Sequence, residues 1–198
     1  MKFHLYLIFL LPIIVITLLG IAYGQKDSYL TYTHPDGTFT LKYPNGWKVT
    51  KQEDDNVLFT PKFDTSKGTG ENFRVIAFGP TISVTVKRPM YPDQASTEVC
   101  ELFTDFLNNA GYTVHYNEEK ILPNVSDKTC MVQYDTKGEK IEAMRGETGN
   151  EPGLTVVIRH GDLLYFISYG ATVNYYFNKY IHAMEQVIDS FKFYDRLV

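Results

Sequence analysis

Polar and apolar residues alternate along most of this chain, and twice the alternation gives way to a helical spacing. Tyr29-Leu30-Thr31-Tyr32-Thr33 and Thr38 to Tyr43 flank His34-Pro35-Asp36-Gly37, a turn in which Gly37 supplies a positive φ. In the second of these runs Phe39, Leu41 and Tyr43 alternate with polar residues, the period of a half-buried strand. Pro44-Asn45-Gly46 forms another turn, and strands are expected over Trp47–Thr50, Asn56–Thr60 and Ile82–Lys87. Further strands are expected over Tyr112–Tyr116, Thr129–Thr136, about Lys140–Glu147, Leu154–Arg159 and Leu163–Tyr169, the last two joined by His160-Gly161-Asp162.

The first helical stretch runs from Gln94 to Asn109, with the stripe Ala95, Val99, Leu102, Phe103, Phe106, Leu107 and Ala110. Gly111 stands where a helix C-terminus favours glycine. The second runs from Val173 to Ser190. Its face comprises Tyr176, Phe177, Tyr180, Ile181, Met184, Val187, Ile188 and, just beyond the helix, Phe191. Hairpin-linked strands with two long helices imply an antiparallel sheet covered by helices, an α+β fold rather than a wound parallel sheet.

Ahead of the strands, Leu5 to Tyr23 carries no charge and Lys2 precedes it. Ala22-Tyr23-Gly24 presents small residues where a signal peptidase cuts, before Gln25. The run also just reaches the roughly 18 apolar residues that cross a bilayer. Residues 1–24 are therefore expected to be a signal peptide or an N-terminal membrane anchor, followed by one domain over 29–193. Both alternatives put the domain outside the cytoplasm, secreted or anchored to the outer side of the membrane. In such a compartment Cys100 and Cys130 are free to form a disulfide; the competing reading makes both small buried hydrophobes, with Cys100 one residue off its helix stripe.

Aromatic residues make up 15% of the 198-residue chain, 15 Tyr and 13 Phe against one Trp, which suits sheets with one wet face. The net charge of −4, with basic residues scattered singly, excludes a nucleic-acid surface. The acidic trio Glu53, Asp54 and Asp55 is a candidate Ca²⁺ or Mn²⁺ site, with Glu118 and Glu119 as further acids, though each also reads as solvated surface. Residues 61–72 read as a long loop. Its Gly68-Thr69-Gly70 lacks the Lys-Ser/Thr pair of a phosphate loop, and its Thr65 and Ser66 have no nearby His to activate them. His34, His115, His160 and His182 are too far apart in sequence to suggest a zinc site. His160-Gly161-Asp162 is better explained as a tight hairpin than as a catalytic pair. Asn124-Val125-Ser126 fits a glycosylation acceptor and marks a surface loop.

The stretch from Tyr32-Thr33 through Gly37-Thr38-Phe39 to Tyr43-Pro44-Asn45-Gly46-Trp47 resembles the opening of PsbP-like domains. Gly161 to Ala171, Tyr176-Phe177 and Ile188-Asp189-Ser190-Phe191-Lys192 are similar to that family's final strand and helix. The resemblance implies an α/β/α sandwich on a central antiparallel sheet, a fold shared with Ran-binding import factors. It also implies a non-enzymatic accessory protein on a membrane complex. The family's photosynthetic member is an extrinsic subunit of photosystem II, a role that nothing in this chain supports. The alternative is a binder of a small ligand or divalent cation.

Overall fold

The computed structural model describes residues 28–52, 56–62, 79–88, 96–125, 129–136, 142–143, 147–148, 151–171 and 174–194. Two strands open the fold, β1 (Tyr29–Thr33) and β2 (Phe39–Pro44), paired antiparallel across the Gly37 turn, where φ is 67°. At Gly46, φ 93°, the chain leaves this pair and enters a second sheet. That sheet comprises β3 (Trp47–Lys51), β4 (Val57–Pro61), β5 (Thr81–Lys87), β6 (Tyr112–Lys120), β7 (Thr129–Thr136), β10 (Gly153–His160) and β11 (Leu163–Gly170). It has the order β3-β4-β5-β11-β10-β7-β6, and every pairing is antiparallel.

Helix α1 (Ser96–Asn109) packs on β6, β7 and β10 across one face. Helix α2 (Asn174–Ser190) covers the other face beside β2. The result is the α/β/α sandwich of an α+β fold. Alternation along each strand feeds both layers. In β10, Leu154, Val156 and Ile158 join the core under α2, whereas Val157 joins the one under α1. The larger core includes Phe39, Phe59, Ile82, Ile167, Met184 and Phe191, all fully buried. Each such side chain contributes about 1.5–3 kcal/mol from water exclusion. Trp47 meets Tyr180 of α2 edge to face at 6.1 Å, which ties the start of β3 to the helix.

The last strand, β12 (Lys192–Phe193), returns to pair with β2, giving a small sheet ordered β1-β2-β12. The Tyr194 amide donates to the Thr38 carbonyl at 3.1 Å, and the Lys42 amide donates to the Ser190 hydroxyl at 2.8 Å. His160, at the β10–β11 turn, stacks on Phe193 at 3.8 Å with the rings 4° from parallel, so hairpin tip and C-terminal strand are clasped together.

Three expectations need correction. Leu102 and Phe106 are 54% and 63% exposed, whereas Cys100 is buried. Helix α1 is turned so that Val99, Cys100, Phe103 and Leu107 face the sheet, and the disulfide from Cys100 to Cys130 holds it at that angle. Strand β6 extends past Tyr116 to Lys120, because β7 offers pairing partners along its whole length once a bulge at His115 resets the register. Within the run Lys140–Glu147 the described residues belong to two strands, β8 (Glu142–Ala143) and β9 (Glu147–Thr148), which pair antiparallel with each other.

Candidate functional site

On the α1 side, the sheet surface changes character along the strands. Beneath the helix it is apolar: Val157, Cys130 and Val132 are buried there, and Phe103 wedges between Tyr134 and Phe166 at 6.2 Å from each ring. Further along, small and hydroxylated residues take over. The register lines up Ser83, Ser168, Thr155 and Val132 in one row across β5, β11, β10 and β7. The next row is Thr81, Gly170, Gly153 and Tyr134.

Thr81, Ser83, Gly153, Ser168 and Gly170 of these rows floor a cleft of about 380 Å³. Tyr112 and Tyr134 form one wall, their rings edge to face at 5.4 Å. Glu151 and Pro152 form the entry to β10, with the Glu151 amide bonded to the Thr136 hydroxyl at 3.0 Å. Gly153 lacks a side chain where the ring of Tyr134 crosses it; a Cβ there would overlap the ring. At Gly170, a Cβ would meet only the Pro152 carbonyl oxygen, at 3.7 Å, among the described residues.

The floor is a connected set of hydroxyls. Thr155 donates to Ser168 at 3.0 Å and is also hydrogen-bonded to Tyr134. Burial pushes the Tyr134 hydroxyl above its ordinary pKa, the Thr155 bond opposes this, and Tyr112 adds to the rise. The phenol therefore stays protonated at neutral pH and presents both a donor and an acceptor. Glu151 is the one carboxylate among the described lining residues, and no histidine is among them. This chemistry suits recognition of polar groups; an activated nucleophile needs a base held beside it.

Of the residues singled out from sequence, none of the described ones lines this cleft. Glu53, Asp54 and Asp55 lie outside the described residues, as do Thr65, Ser66 and Gly68 to Gly70. Glu118 and Glu119 are exposed on β6. Among the described residues, no three His, Cys, Asp or Glu side chains converge as metal ligands. Cys100 and Cys130 are joined by a disulfide with their Cα atoms 6.3 Å apart, pinning α1 to β7.

The four histidines beyond residue 24 go to four places. His34 is buried, stacked on Phe39 at 4.9 Å with its Nδ1 3.2 Å from the Thr38 hydroxyl. His115 lies 2.8 Å from Asp135, His182 lies 2.7 Å from Glu185, and His160 is held on Phe193. Asn124 is exposed, and its amide donates to the Asp189 carbonyl at 2.9 Å, closing the end of α2. Segment 1–24 lies outside the described residues, and no helix among the described ones is long and apolar enough to cross a membrane.

None of the cleft residues stood out in the sequence. Their one local signal is the alternation Thr81-Ile82-Ser83-Val84-Thr85-Val86, which sets hydroxyls along one face of β5. Five strands separated by up to 90 residues have to meet before the cleft exists.

A comparison with curated proteins finds no match. Among solved structures, the fold is similar to cyanobacterial PsbP from Synechocystis sp., at 16% identity, covering 87% of this chain and 96% of that one, with a TM-score of 0.56. It is also similar to the Ran-binding protein Mog1p of Saccharomyces cerevisiae, at 10% identity over 84% and 95% of the two chains, TM-score 0.55. LpqN, involved in cell envelope biogenesis of Mycobacterium tuberculosis, matches at 13% identity over 86% and 93%, TM-score 0.53. At such identities the likeness is one of fold. The PsbP family itself matches residues 27–193, nearly the whole of the chain beyond its apolar first segment, and the protein belongs to that family.

Proposed function

We propose that the protein is a non-enzymatic accessory module that works outside the cytoplasm, against a membrane-bound assembly. The observation that carries this is the Cys100–Cys130 disulfide. Such bonds persist where the surroundings are oxidising and are rare in the cytosol. The uncharged run Leu5–Tyr23 supports the same compartment, either as a cleaved signal or as a tether. Membership of the PsbP family, whose members are generally non-enzymatic, supports an accessory role. Binding is favoured over catalysis because the cleft hydroxyls bond to one another with no histidine among the described residues beside them.

Two measurements test the reading. Thiol trapping in intact cells followed by a non-reducing gel is expected to find both cysteines blocked; free thiols would overturn the compartment. Crosslinking on intact cells, with recovery from solubilised membranes, is expected to capture a membrane protein. Recovery as a free monomer in several detergents overturns the accessory role.

A further inference from the structure

The cleft on the α1 side is a concavity of about 380 Å³ that two strand glycines help to shape. A glycine inside a strand weakens the sheet unless something requires close approach. Gly153 has its reason in the ring of Tyr134 lying over it. Gly170 has none among the described residues: it takes no positive φ, and of those residues a side chain there would touch only one carbonyl oxygen. The hollow it leaves is ringed by chemistry of one kind. Thr81, Ser83 and Ser168 present hydroxyls, Tyr134 and Tyr112 present ring surface and phenols, and Glu151 presents a carboxylate.

We propose that this cleft binds a neutral polyhydroxylated ligand, a saccharide unit, seated over Gly170. Each sugar hydroxyl both donates and accepts, and so does each Ser, Thr and Tyr hydroxyl of the site, so the two sets pair without a stranded group. The Glu151 carboxylate accepts from ligand hydroxyls. The tyrosine rings offer the apolar surface that the C–H face of a sugar ring covers. An anion is disfavoured, because no basic side chain is among the described lining residues and Glu151 would repel it. An apolar ligand is disfavoured because it would strip water from the hydroxyl floor and replace none of its hydrogen bonds. The volume, about 380 Å³, falls at the small end of the range of roughly 300–1,000 Å³ for ligand sites, which suits one sugar ring with ordered water. This inference stands on the cleft alone, so its failure leaves the membrane-assembly reading untouched.

The test is an amide NMR titration of the full chain with glucose, galactose, mannose, N-acetylglucosamine and myo-inositol. Inorganic phosphate and indole serve as the charged and apolar contrasts. At least one neutral probe is expected to shift the Gly153, Ser168 and Gly170 amides saturably, with phosphate and indole leaving them in place. Gly170→Val fills the hollow and is expected to weaken binding by roughly tenfold or more. Ser168→Ala removes one floor hydroxyl and serves if the valine variant does not fold. Silence of every neutral probe, a stronger response to phosphate or indole, shifts confined to another surface, or unchanged affinity in the folded variants overturns the proposal.

Discussion

The ring of Tyr134 lies across Gly153, its partner on the neighbouring strand, in the space a side chain would fill. The tyrosine thereby covers a stretch of bare backbone and carries its hydroxyl to Thr155 two residues further along β10. Gly153→Ala forces the ring aside, at a cost of about 1–3 kcal/mol from overpacking. Gly170→Ala, on the adjacent strand, is expected to change stability by less than about 0.5 kcal/mol, as a substitution away from such packing does. Thermal unfolding of the two variants, followed by circular dichroism, separates a fall in midpoint for the first from near identity for the second.

Reducing the Cys100–Cys130 bond releases α1 from β7. The two cysteines are 30 residues apart, so the chain-entropy account gives a loss of about 3–4 kcal/mol. Denaturant unfolding with and without reductant checks this as a drop in transition midpoint, and Cys100→Ser with Cys130→Ser should reproduce it without reductant.

The turn of α1 about its axis predicts opposite outcomes for two leucines five residues apart, which the helix places on different faces. Leu107 is 3% exposed under the helix, and Leu107→Ala is expected to cost about 2–5 kcal/mol. Leu102 faces outward, and Leu102→Ala should stay within about 0.5 kcal/mol. Equal losses in denaturant unfolding would contradict the orientation.

High pH probes Tyr169. Its hydroxyl donates to the Phe177 carbonyl at 2.7 Å, and burial raises its pKa well above the ordinary value of 10. The folded state therefore keeps a proton that the unfolded chain gives up. The stability this contributes is complete below pH 10 and falls as pH rises beyond it, by about 1.4 kcal/mol per pH unit. Urea midpoints measured between pH 9 and 11 should decline above 10, and Tyr169→Phe should flatten that decline while lowering stability at neutral pH.

Much of this architecture is legible residue by residue. The stripe from Tyr176 to Phe191 names the buried face of α2, because a single apolar row on that helix leaves little choice. The turns at Gly37, Gly46 and Gly161 are legible because each glycine takes a positive φ that few other residues tolerate. Helix α1 was ambiguous for a physical reason: Leu102 and Phe106 widen its apolar face, and only docking against Cys130 and Val132 decides which edge is buried. The cleft was invisible because it arises from register. Nothing local in Gly153, Ser168 or Thr81 announces that antiparallel pairing will set them side by side.

The pairing of β2 with β12 joins strands some 150 residues apart and sets the order in which this chain completes itself. Phe39 is packed on Phe191 at 5.2 Å, so the larger core stays open on one flank until the final residues arrive. Chains cut short before Lys192 lose the pairing with β2 and are left with an unsealed apolar flank beside Phe39.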